Sequence, residues 1–79
     1  MTKAVMLVKN SSANTITVVL EPWVHLFPVE PDKTVEIHVG GSVVNVPIEI
    51  EYLEDEIIVH ASQSMSVWAD GVELDPQFR

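Results

Sequence analysis

Alternation with a period of two, in a chain dominated by β-branched residues, is what most constrains this sequence. Its 14 Val, 6 Ile and 4 Thr make 24 of 79 residues, against only 4 Ala and 5 Leu. β-branched side chains are stiff at χ1 and pack well on a pleated surface. No window carries apolar residues at helical spacing, whereas several alternate apolar with polar. Turn signals recur about every ten residues, the spacing of a small all-β domain. The expectation is a single domain over residues 1–79: a β-sandwich, or a partly open barrel, of seven to eight short, mostly antiparallel strands.

Strands are expected at Ala4–Lys9, Thr15–Leu20 and Thr34–Val39, and at Ile57–Ala61, Met65–Ala69 and Val72–Leu74. Asn10 to Asn14 reads as a polar turn. Pro22 interrupts the second strand because it has no N–H to give a ladder. Gly40-Gly41 predicts a two-residue hairpin joining Thr34–Val39 to Ser42–Tyr52. That register buries Val35, Ile37 and Val39 with Val44, Val46, Ile48, Ile50 and Tyr52, and makes the far side at Pro47 an edge or a bulge. Leu53 to Glu56 is an acidic turn. Asp70-Gly71 predicts a second two-residue hairpin, with Val67 paired to Leu74 and Ala69 to Val72 inside and Trp68 beside Glu73 outside. The tail 75–79 is expected to be loose.

Charge narrows the function classes. Four basic residues against twelve acidic ones give a formal net charge of −8. Such a chain is not expected to bind nucleic acid backbones or anionic membranes. It has no cysteine, which removes disulfides and thiolate chemistry and favours a reducing cytoplasm. The early apolar run Ala4–Val8 is too short for a secretory core or a membrane span. Asn10-Ser11-Ser12 fits the glycosylation pattern, which has no meaning without secretion.

Three groups of residues invite a chemical reading. His38 and His60, with Glu36, are the weak candidates for a metal or small-ligand site, since facing strands would bring them together. None of the histidines has metal-site spacing, and ordinary surface positions are the stronger expectation. The carboxylates Glu49 and Glu51, and the run Glu54-Asp55-Glu56, read as a solvated face that blunts a sheet edge. No nucleophile, base and acid stand in a recognisable arrangement, so neither an enzyme nor a cofactor is expected. The third group is Trp23, His25 and Phe27, which alternation places on one face while Val24 and Leu26 take the other. Such a segment either runs between two layers or gives one face to a partner.

Leu20-Glu21-Pro22-Trp23, followed by Phe27 and Pro31 and preceded by Asn10-Ser11-Ser12, resembles a family of small bacterial proteins with no established activity. The family's pattern is Asn-x-Ser/Thr, a strand, Leu-Glu-Pro-Trp, then a turn beginning Pro-Gly. Met65–Leu74 is similar to its closing strand, Gly-containing hairpin and strand. The chain departs from it at Val24, where the family often has Gly, and at Asp32, where Pro31 would be followed by Gly. The resemblance implies an all-β fold and no particular activity.

The expected function is therefore a small cytoplasmic interaction or accessory module that presents Trp23, His25 and Phe27. A core this small supplies only about 3–5 kcal/mol, so a homo-oligomer or a protein partner is expected to use that surface. The alternative is a metal- or ligand-binding domain built on His38, His60 and Glu36.

Overall fold

The computed structural model describes residues 4–41 and 47–78. Nine strands run through them: β1 (Ala4–Lys9), β2 (Ile16–Glu21), β3 (His25–Val29), β4 (Thr34–Val39), β5 (Glu49–Leu53), β6 (Glu56–His60), β7 (Met65–Ala69), β8 (Val72–Glu73) and β9 (Gln77–Phe78). They form a four-stranded sheet in the order β1-β4-β7-β8 and a five-stranded sheet in the order β5-β6-β2-β3-β9. The sheets do not close into a barrel, and the described residues include no helix. All strand pairs are antiparallel except β2 with β6, which run parallel because the chain visits the other sheet between them.

The core lies between the sheets. Val18 and Leu20 of β2, Phe27 and Val29 of β3, and Val59 of β6 meet Val35, Ile37 and Val39 of β4 and Val67 of β7. Their period-two spacing puts them on the inner faces, as the sequence predicts for β2, β4 and β7. The faces opposite Val39 and Val59 carry His38 and His60. Val19 is also buried, on the outer face of the five-stranded sheet, flanked in register by Leu26 and Ile58.

The predicted hairpin at Gly40-Gly41 does not form. Both sides of β4 are already occupied, by β1 along Thr34–Val39 and by β7 along Glu36–Val39. Gly40 instead extends the ladder to β7, donating its N–H to Ser64 O at 2.9 Å. A Cβ at Gly40 would lie 2.8 Å from Ser64 Oγ, so a larger residue there would require the serine hydroxyl to turn away. Of the strand expected over Ser42–Tyr52, the described part contains β5, which pairs with β6 at the rim of the other sheet. Val44 and Val46 lie outside the described residues. Ile48 packs partly against the core, but Ile50 and Tyr52 are 59% and 75% exposed. They share the face of Val59 and Ile57, yet the opposing sheet is one strand narrower and does not reach them. As an edge strand carrying Glu49 and Glu51 just after Pro47, β5 matches the edge expected at that position.

The second hairpin forms as read. Asp70 and Gly71 have φ of 52° and 78°, the left-handed pair a primed turn requires. Trp68 stands opposite Glu73 and Ala69 opposite Val72, and Leu74 donates its N–H to Val67 O at 2.8 Å. Val72 is exposed rather than inside, because β8 is the outermost strand. The described part of the tail, expected to be loose, returns to the sheet. Gln77 and Phe78 add β9 to β3, with Phe78 opposite His25.

Asn10, at the end of β1, is the one polar residue buried among the described ones. Its Nδ2 donates to Asn14 O and Val29 O, both at 2.8 Å. Its Oδ1 accepts from Ser12 N at 2.9 Å and from Ser12 Oγ at 2.7 Å. Its backbone N–H reaches Lys33 O, and its carbonyl accepts from Asp32 N. Asn10-Ser11-Ser12 is thus a side-chain-stapled turn that ties the first sheet to β3 and to the turn before β4.

Candidate functional site

The segment between β2 and β3 forms the most distinctive surface. β2 ends at Glu21, the Glu21–Pro22 peptide bond is cis, and Pro22-Trp23-Val24 turns the chain back into His25. Val24 takes a φ of 58°, a conformation that glycine or asparagine adopts far more readily than a β-branched residue. Trp23 therefore sits in the turn itself and not in a strand, and it is 40% exposed.

The expected trio separates. Phe27 is only 3% exposed and belongs to the core: it shares the inner face of β3 with His25, but it lies mid-strand opposite Val18, whereas His25 is the first residue of β3. Trp23 and His25 stay near the surface, their ring centroids 6.1 Å apart and tilted by 30°. Phe78 of β9 meets His25 edge-on at 5.2 Å. This aromatic series Trp23–His25–Phe78 was not visible in the sequence, since it depends on the tail returning to β3.

Beside Trp23 opens a cleft of about 500 Å³, lined by Pro22, Trp23, Pro47, Glu49, His60, Ala61 and Ser62. Two prolines and the indole give it mainly apolar walls. Its polar lining comes from Glu49, His60 and Ser62. Glu49 stands opposite His60, and His60 opposite Glu21, so the three side chains project from the same face of β5, β6 and β2. One carboxylate oxygen of Glu21, Oε1, is buried and has no hydrogen-bond partner among the described residues. An apolar cleft lined on one side by the Glu49 carboxylate suits an apolar or aromatic group that carries a cation next to it.

His38, His60 and Glu36 are not brought together. His38 and Glu36 lie on the outer face of the four-stranded sheet, joined at 2.8 Å between Nε2 and Oε1. The His38 ring also stacks on Trp68, with centroids 5.1 Å apart and planes 11° from parallel. His60 lies on the outer face of the other sheet, so the whole core separates it from His38. Among the described residues no group of three or more His, Asp or Glu side chains is placed to share a metal ion. Nor is any described helix long and apolar enough to cross a membrane.

No protein-family model, curated protein or solved structure matches this chain. The resemblance carried by Leu20-Glu21-Pro22-Trp23 therefore stands on those residues alone. Its two departures from glycine, Val24 and Asp32, both fall on left-handed backbone, with φ of 58° and 64°.

Proposed function

We propose that this chain is a small non-catalytic interaction module whose cleft beside Trp23 binds a segment of a partner protein. The observation that carries the reading is Trp23 itself, held in a turn at the mouth of an apolar cleft with much of its ring open to solvent. Trp gives more binding energy per residue than almost any other side chain when a partner covers it. With Phe27 in the core, one indole and the cleft form a contact sized for a side chain and its neighbours, not for a second copy of the domain. Glu49 at the rim and the net charge of −8 favour a partner segment with Arg or Lys beside an aromatic or aliphatic residue. The absence of cysteine supports a reducing compartment such as the cytoplasm.

The test is selection from a random peptide library displayed on phage. The expected result is enrichment of segments pairing an apolar residue with a cation, lost on Trp23→Ala and weakened by Glu49→Gln. Enrichment that survives Trp23→Ala would refute the assignment of the cleft.

A further inference from the structure

The four sheet edges are protected unequally. β8 and β9 are two residues long, and β5 carries Glu49 and Glu51 after Pro47. Short edge strands, charges and proline all discourage pairing with another chain. β1 has only the charge of Lys9, at its last position. It runs six residues with no charge before Lys9, and among the described residues no strand pairs with its outer side. Val5 and Leu7 on its outer face are 49% and 69% exposed.

The free backbone groups follow from the ladder. Asn10 donates its N–H to Lys33 O on the β4 side, and Gly40 donates to Ser64 O on the β7 side. Backbone groups of successive strand residues point to alternate sides. Ala4, Met6 and Val8 therefore turn toward β4, and Val5, Leu7 and Lys9 present N–H and C=O outward. Those three residues are symmetric about Leu7.

We propose that two copies of this chain associate through β1, antiparallel, about a two-fold axis at Leu7. This register pairs Leu7 with its counterpart and Val5 with Lys9 on either side. It satisfies every outward group of the three residues with six backbone hydrogen bonds and joins two four-stranded sheets into one of eight. A two-fold contact is self-complementary and closed, and the other end of each sheet is the short β8, so assembly stops at two. On the inner face Met6 of one copy lies opposite Val8 of the other, both already packed in part against the core. On the outer face each copy's Lys9 reaches the surface that carries the other copy's Glu36. Apart from the two-residue β9, β1 is the edge strand without a carboxylate, so pairing there meets little repulsion between two acidic molecules.

Sedimentation of the wild-type chain over a range of concentrations tests this. A reversible dimer is expected. Leu7→Lys, which sets two cations on the axis, shifts the chain to monomer at unchanged β-sheet circular dichroism. Leu7→Pro removes only an outward N–H and does the same. Leu7→Thr, a good strand former with an intact backbone, keeps the dimer. Should the proline variant misfold, hydrogen exchange on the wild type decides independently: the amides of Val5, Leu7 and Lys9 are protected in the concentrated sample and lose protection on dilution. A wild type that stays monomeric, a dimer that persists in Leu7→Lys, or a dimer lost in Trp23→Ala instead would overturn the proposal.

Discussion

Replacing Asn10 should damage this fold more than replacing any exposed residue, and the size of the effect can be worked out from its contacts. Four hydrogen bonds end on its side chain, two given by Nδ2 and two accepted by Oδ1, all between 2.7 and 2.9 Å. A typical intramolecular hydrogen bond contributes about 0.5–1.5 kcal/mol net, so losing four in Asn10→Ala is expected to cost about 2–6 kcal/mol. At about 4–8 °C per kcal/mol for a domain this size, the melting temperature should fall by roughly 8 °C at the least. Asn10→Asp is worse at neutral pH, because it sets an anionic oxygen against the carbonyls of Asn14 and Val29. Protonation restores one donor, so the folded state raises this carboxyl above its unfolded value of about 3.9. The unfolded chain then releases its proton first as pH rises, and the loss relative to wild type deepens from about pH 3 toward neutrality. Urea unfolding of the three proteins at acid and neutral pH measures both effects. An Asn10→Ala variant as stable as wild type would refute the view that this side chain ties the two sheets together.

The other substitutions follow from backbone and burial. Val24→Asn should raise the melting temperature, since asparagine tolerates a φ of 58° and a β-branched residue does not; a lower value would show that Val24 packing outweighs the strain. Gly71→Ala should cost about 1–2 kcal/mol from its left-handed φ alone, because an added Cβ meets nothing within 4 Å; denaturant titration checks it. Phe27→Ala should cost about 3–5 kcal/mol, as for other buried aromatics, whereas Trp23→Ala should cost clearly less, because its indole is 40% exposed against 3% for Phe27. Equal losses in the two variants would put Trp23 in the core.

What the sequence disclosed was local. β1, β4 and β7 run Ala4–Lys9, Thr34–Val39 and Met65–Ala69, the spans their alternation predicts, and Asp70-Gly71 closes its hairpin because turn chemistry and strand pattern agree over a few residues. What it concealed was the order of the strands. Gly40-Gly41 is a strong hairpin signal, but nothing near it says that β1 and β7 already flank β4. Alternation correctly set Ile50 and Tyr52 on the side of Val59, but it cannot say how wide the opposing sheet is. The site was hidden for the same reason. Trp23 drew notice as an aromatic after a proline, while the row Glu49–His60–Glu21 exists only once β5, β6 and β2 are placed side by side. The buried role of Asn10 did leave a trace, in the Asn-x-Ser spacing that lets Ser12 bond back to it.

The central claim is that the Trp23 cleft is where a partner binds, and the two indole N–H signals in a proton–nitrogen NMR spectrum test it most directly. Trp68 donates its N–H to Ser66 Oγ at 2.9 Å on the far side of the core, while Trp23 lines the cleft. Titration with a peptide selected on the wild-type chain should move the Trp23 indole signal and the amides around His60 and Glu49, leaving the Trp68 signal in place. A peptide that shifts Trp68 and leaves Trp23 unmoved would contradict the account.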